Sequence, residues 1–103
     1  VWHSFWFGSY LKDDSGWWCS EDLGWIFPSA AFGDGMWLWK KGLNWLWTKE
    51  GVYPYLYSND SSSWYYFYGE NNQSRMLYDY KRKKWIFLSD FPEVEPIKEI
   101  LNR

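Results

Sequence analysis

The chain is predicted to be all-β: antiparallel hairpins laid out in sequential order, about eight strands in all, with a short helix near the end. Three observations predict this. Its apolar runs are three to five residues long and bounded by turn residues, which favours strands over helices. In three of the pairs the link between runs is four to six residues, a hairpin length that leaves no room for a parallel crossover. And Trp25, Trp45, Trp64 and Trp85 recur 20, 19 and 21 residues apart, each opening an apolar run. Self-similarity at a fixed period marks one supersecondary unit used several times.

The units follow in order. In residues 1–27, Phe5-Trp6-Phe7 precedes Gly8, Asp13-Asp14-Ser15-Gly16 follows, and Pro28 stops Trp25-Ile26-Phe27. A strand over Phe5–Tyr10 is expected to pair with the Trp25 run, across an insertion holding Trp17, Trp18 and Cys19. In residues 33–47, the turn signal Asp34-Gly35 leads into Met36-Trp37-Leu38-Trp39, and Lys40-Lys41-Gly42-Leu43-Asn44 links that run to Trp45-Leu46-Trp47. Residues 53–68 hold Tyr53 to Tyr57 and Trp64 to Tyr68, joined by six polar residues. Residues 75–88 hold Arg75 to Tyr80 and Trp85-Ile86-Phe87, joined across Lys81-Arg82-Lys83-Lys84. Hairpins are therefore expected at 36–47, 53–68 and 75–88. In the tail, Val94, Ile97, Ile100 and Leu101 stand at helical spacing and Pro96 suits a first turn, which predicts a helix over 96–102. Residues 1–103 form one domain, a meander, solenoid or barrel of hairpins.

Composition narrows the function. The 11 basic and 13 acidic residues leave a formal charge of −2, a balance that offers no field to attract nucleic acid or an anionic membrane surface. The basic tetrapeptide at 81–84 sits between two apolar runs and reads as a turn. No 18-residue apolar stretch is present, so no membrane-spanning helix is expected. Eleven Trp, nine Tyr and seven Phe make up 26% of the chain, and such side chains bring large contact areas with a polar tip on Trp and Tyr. Cys19 is the one cysteine, which rules out an intrachain disulfide; it reads as a small buried side chain. The chain begins at Val1 rather than Met and reads as a processed product or a piece of something longer. Asn59-Asp60-Ser61 and Asn72-Gln73-Ser74 match the glycosylation acceptor pattern.

Side chains alternate between the faces of a strand. In Trp37-Leu38-Trp39, Trp45-Leu46-Trp47 and Tyr55-Leu56-Tyr57 the rings share one face and leucine takes the other. Both faces are thus apolar, unlike a half-solvated sheet. Two resolutions stay open. Either the rings fill the inside of a closed sheet while loops and the tail helix cover the aliphatic side, or the rings form a working surface. The candidate surface is Trp37, Trp39, Trp45, Trp47, Tyr55, Tyr57, Trp64, Tyr66, Tyr78 and Trp85. Asn44, Glu70, Arg75 and Asp79 are candidate polar contacts for a sugar on those rings.

A Trp/Tyr-rich hairpin of about 20 residues with a polar turn resembles the choline-binding and related cell-wall-binding repeats of bacterial surface proteins. The segments carrying the resemblance are Gly24-Trp25-Ile26-Phe27, Asn44-Trp45-Leu46-Trp47, Ser63-Trp64-Tyr65-Tyr66-Phe67 and Lys84-Trp85-Ile86-Phe87. The run from Gly51 through Tyr80 is also similar to aromatic-rich tail domains of large secreted bacterial proteins. The resemblance implies a secreted or cell-surface location and, in the choline-binding case, aromatic cages for a quaternary ammonium group around Trp45, Trp64 and Trp85. The regular glycine between paired tryptophans of those repeats is absent here.

Chemistry is sparse. His3 is the one histidine, so neither a Ser/His/Asp arrangement nor a His-based metal site is expected. The acidic pairs Asp13-Asp14, Glu21-Asp22 and Glu93/Glu95 read as solvated turn residues, and no phosphate-binding glycine-rich motif is present. The sequence therefore predicts a non-catalytic extracellular module without cofactor. Its expected partners are copies of itself or a larger surface protein, met through the ring face. The alternative is a carbohydrate-binding module for cell-wall glycan.

Overall fold

The computed structural model describes residues 2–69 and 74–91. They form ten strands: β1 (His3–Phe5), β2 (Gly8–Lys12), β3 (Trp18–Ser20), β4 (Gly24–Ala30), β5 (Met36–Lys40), β6 (Asn44–Thr48), β7 (Tyr55–Ser58), β8 (Ser63–Gly69), β9 (Arg75–Asp79) and β10 (Lys84–Phe87). A 3-10 turn at Leu88–Asp90 follows. All ten strands belong to one antiparallel sheet whose spatial order copies the chain order. The all-β, sequential antiparallel expectation holds, and the tail helix expected over 96–102 lies outside the described residues.

Two expectations are corrected. Ten strands replace eight, because the N-terminal segment turns twice more than its sequence suggests. The Phe5-Trp6-Phe7 run is broken by a turn, so β1 pairs with β2, and Trp18–Ser20 forms β3 rather than part of an insertion. Trp25 therefore faces Cys19 across β3–β4, not the Phe5–Tyr10 segment. Pro28 also does not stop its strand. β4 runs on to Ala30 with Pro28 opposite Leu38 and Ser29 opposite Trp37, since proline already has a φ compatible with extended backbone.

Each recurring tryptophan comes one or two residues after a residue in the left-handed region. Gly24 (φ 77°), Asn44 (φ 63°), Ser62 (φ 52°) and Lys83 (φ 56°) end the turns that lead into Trp25, Trp45, Trp64 and Trp85. Asparagine and glycine tolerate this conformation best. The last inward position before each turn is polar and buried: Ser20, Lys40, Ser58 and Asp79. Three of those side chains cap their turns. Ser20 Oγ accepts from Leu23 N at 3.0 Å, Ser58 Oγ accepts from Ser61 N at 3.1 Å, and Asp79 Oδ1 accepts from Lys81 N and Arg82 N at 3.0 and 3.1 Å. The basic cluster is the β9–β10 turn, as expected.

Nine interstrand spacings of about 4.8 Å would span roughly 43 Å in a flat sheet. The principal extents are 37 × 31 × 27 Å, so the sheet curls over itself. The aliphatic face lies inside. Ile26, Leu38, Leu46, Leu56 and Leu77 are all fully buried and pack with Phe7, Tyr10, Leu23, Leu43, Tyr65, Phe67 and Leu88. A seam holds the curl. Tyr53 Oη donates to Asp22 Oδ2 at 2.8 Å, and Arg75 Nη1 donates to the Asp22 carbonyl at 3.0 Å. The β3–β4 turn is thereby tied to the segment before β7 and to β9. Burial, reinforced by the Asp22 charge, pushes the Tyr53 phenol well above its ordinary range and keeps it a donor.

Candidate functional site

The ten ring residues singled out from the sequence all fall on one face. Cross-strand partners point to the same side of a sheet. Ser29, Trp37, Trp47, Tyr57 and Trp64 are successive partners across β4 to β8. Tyr55, Tyr66, Tyr78 and Trp85 are successive partners across β7 to β10. Trp39 joins Phe27 to Trp45 in a third row. These positions alternate with the inward residues Leu38, Leu46, Leu56, Tyr65, Leu77 and Ile86, so the ring face is the outer face of the curl. Of the two arrangements that the sequence left open, the one with rings filling the interior is not what forms. The outer rings meet mostly edge to face: Tyr57 and Trp64 at 5.3 Å, Tyr78 and Trp85 at 5.1 Å, Trp47 and Trp64 at 6.4 Å.

The face is unevenly covered. At its β4–β5 end the buried indole of Trp17 lies edge-on against Phe27 and Trp39, so Trp39 is packed over rather than free to bind. Beyond it, Ser29, Trp37, Trp45 and Asn59 line a groove of about 260 Å³. Asn59 is held in place on both sides. Its backbone N donates to the Trp45 carbonyl at 3.1 Å, and the next residue, Asp60, accepts a hydrogen bond from the Asn44 amide. At the β7–β10 end Tyr55, Trp64, Tyr68, Tyr80, Trp85 and Phe87 are between 38% and 50% exposed. Gly51, Val52, Tyr55, Trp64 and Tyr80 line a shallow, mainly apolar depression there of about 660 Å³.

The expected polar contacts fare differently from the rings. Asp79 is buried beneath its turn, Arg75 is committed to the Asp22 carbonyl, and Asn44 is committed to Asp60. Glu70 lies outside the described residues. The polar groups beside the rings are instead Ser29 and Asn59. Cys19, expected to be buried, is half-buried on the outer face opposite Trp25, because its neighbours Trp18 and Ser20 take the inward positions. Asp13, one of the acidic pair, organises its own loop: Oδ1 accepts from Ser15 N, Ser15 Oγ and Trp17 N at 2.9, 2.7 and 3.0 Å. His3 stacks on Tyr10 at 5.3 Å. Among the described residues, no group of three or more His, Cys, Asp or Glu is placed to hold a metal ion, and no helix is long and apolar enough to cross a membrane.

Gly35 sets the pose of one ring. A Cβ on this buried glycine would stand 2.3 Å from Trp47 Nε1 and 2.8 Å from its Cε2. Gly35→Ala is therefore expected to push the Trp47 indole aside. It should alter the near-ultraviolet circular dichroism and cost about 1–3 kcal/mol in urea unfolding, as overpacking does. An unchanged aromatic spectrum would show that the indole keeps its pose and that Gly35 does not set it.

No protein-family model matches this chain, and no curated protein or solved structure matches it either.

Proposed function

We propose that the chain is a non-catalytic module of a cell-surface or extracellular assembly, built from duplicated hairpins and joined to copies of itself through its outer ring face. The observation that supports this reading is the β7–β10 patch. Six aromatic side chains there are each more than a third exposed. Ring contacts link Tyr55 to Tyr80 at 6.5 Å, Tyr80 through Tyr78 to Trp85 at 4.9 and 5.1 Å, and Trp85 to Tyr68 at 6.3 Å, while Trp64 lines the same depression as Tyr55 and Tyr80, and Phe87 shares a face with Trp85. Soluble monomers rarely leave more than a few hundred Å² of contiguous apolar surface uncovered, and each such ring contributes about 150–250 Å² when buried. Tyrosine and tryptophan are also the side chains that carry most interface energy.

Sedimentation velocity at tens of micromolar tests this. The expected species is heavier than the 12.7 kDa monomer, and the double substitution Trp85→Ser/Phe87→Ser should return it to monomer while a cooperative unfolding transition is kept. A wild-type chain that sediments as a monomer and binds no dye for exposed apolar surface overturns the reading.

A second reading is favoured by a separate observation. The groove between Trp37 and Trp45 is flanked by uncharged hydrogen-bonding side chains, the composition of a site for a neutral polar ligand. On that reading the module binds glycan.

A further inference from the structure

We propose that the groove lined by Ser29, Trp37, Trp45 and Asn59 is a subsite for a neutral pyranose residue of an oligosaccharide. The proposal rests on the glycan reading above and names the place and the ligand class.

Four features point to this ligand. Two indoles stand on adjacent strands at diagonal positions, Trp37 opposite Trp47 and Trp45 opposite Trp39. The carbon-bound hydrogens of a pyranose form an apolar, weakly positive face that complements the negative π-face of an indole. Ser29 and Asn59 flank the rings from β4 and from the β7–β8 turn. A serine hydroxyl and an asparagine amide each donate and accept, as a sugar hydroxyl does. Both polar side chains are exposed and therefore reachable. The site is also prepared before binding. Ser29 is fixed by pairing with Trp37, and the Asn59 backbone is tied to β6 directly and, through Asp60 and Asn44, a second time. Preorganisation of this kind lowers the cost of ordering on binding. Finally, none of the four lining side chains carries a charge, which argues against a phosphorylated, sulfated or uronic ligand. A quaternary ammonium group would need further ring walls where Ser29 and Asn59 stand, and it has no hydrogen bond to give them.

Intrinsic fluorescence and calorimetry on the full chain test this, with cellopentaose, xylopentaose, chitopentaose and mannopentaose as neutral probes and oligogalacturonate and choline as charged ones. Wild type is expected to bind at least one neutral probe and neither charged one. Trp45→Ala and Asn59→Ala should each weaken that binding about tenfold or more, Trp45→Tyr should retain most of it, and Trp85→Ser, on the distant patch, should leave it unchanged. Thermal melts identify any variant that fails to fold, and the exposed Asn59→Ala carries the test if Trp45→Ala does. Binding that is lost in Trp85→Ser but kept in Trp45→Ala and Asn59→Ala overturns the subsite and leaves the glycan reading standing. Binding of oligogalacturonate or choline in preference to the neutral probes overturns the proposed ligand. Binding of no probe at all overturns both the subsite and the glycan reading, and does not touch self-association.

Discussion

Leu46→Ala is expected to destabilise the chain by about 2–5 kcal/mol, the range for deleting a fully buried leucine and leaving a cavity. Leu46 is 0% exposed and faces Leu38, also 0% exposed, in the middle of the sheet. Truncation one face over should cost less in total. Trp64→Ala deletes a larger side chain, but one already 38% in water and packed only edge-on against Trp47 and Tyr57. Urea unfolding of both variants, with slopes compared to confirm a common unfolded state, checks the ranking. A Trp64→Ala loss larger than that of Leu46→Ala would mean that the ring face, not the aliphatic one, is the core.

Asp79→Ala is the second substitution with a large expected effect, about 1.5–3 kcal/mol, the range for hydrogen bonds to a charged group. The carboxylate is 0% exposed, accepts from two amides of the β9–β10 turn, and has Arg82 at 3.4 Å. Truncation leaves both amides without their acceptor. Arg82 is 64% exposed on its side chain, so its ion pair is screened and contributes little. Asp79→Asn keeps an acceptor oxygen in place and should recover most of the loss, whereas Arg82→Ala should change stability by less than about 1 kcal/mol. Thermal and urea unfolding of the three variants check this. A loss in Arg82→Ala equal to that in Asp79→Ala would show that the ion pair, not the turn cap, is what matters.

Much of the fold was legible because the chain punctuates itself. The alternation in Trp37-Leu38-Trp39 and Trp45-Leu46-Trp47 fixed which residues share a face, and all ten candidate rings do lie together. The sequence could not say which face would be inside, because leucine and tryptophan are both apolar enough for either. In the curled sheet Leu and Ile take the inside together with the rings of Phe7, Tyr10, Tyr65 and Phe67, and the tryptophan-rich side faces out. The N-terminal strands were missed because Phe5-Trp6-Phe7 looks like one run, while the turn begins within it. The site was only half legible for a related reason. Reading Pro28 as a stop cut β4 short and hid Ser29, which pairs with Trp37. In the sequence Asn59 stands only in a polar turn and an acceptor tripeptide; the hydrogen bond that sets it beside Trp45 joins residues of different hairpins. The polar residues proposed instead, Asp79 and Arg75, were drawn into capping a turn and closing the seam, demands that no local pattern reveals.

Strand order that copies chain order has a kinetic consequence. Every pairing in the sheet joins sequence neighbours, so no ladder has to wait for a distant segment to diffuse into place. Contact order is correspondingly low for a chain made of strands, and such chains fold faster than sandwiches and barrels that interleave remote ones. Hairpins can close independently on the microsecond scale and zip onto one another in either direction. The contacts from Asp22 to Tyr53 and Arg75, which span 31 and 53 residues, are then expected to form late, as the latch on a sheet already assembled.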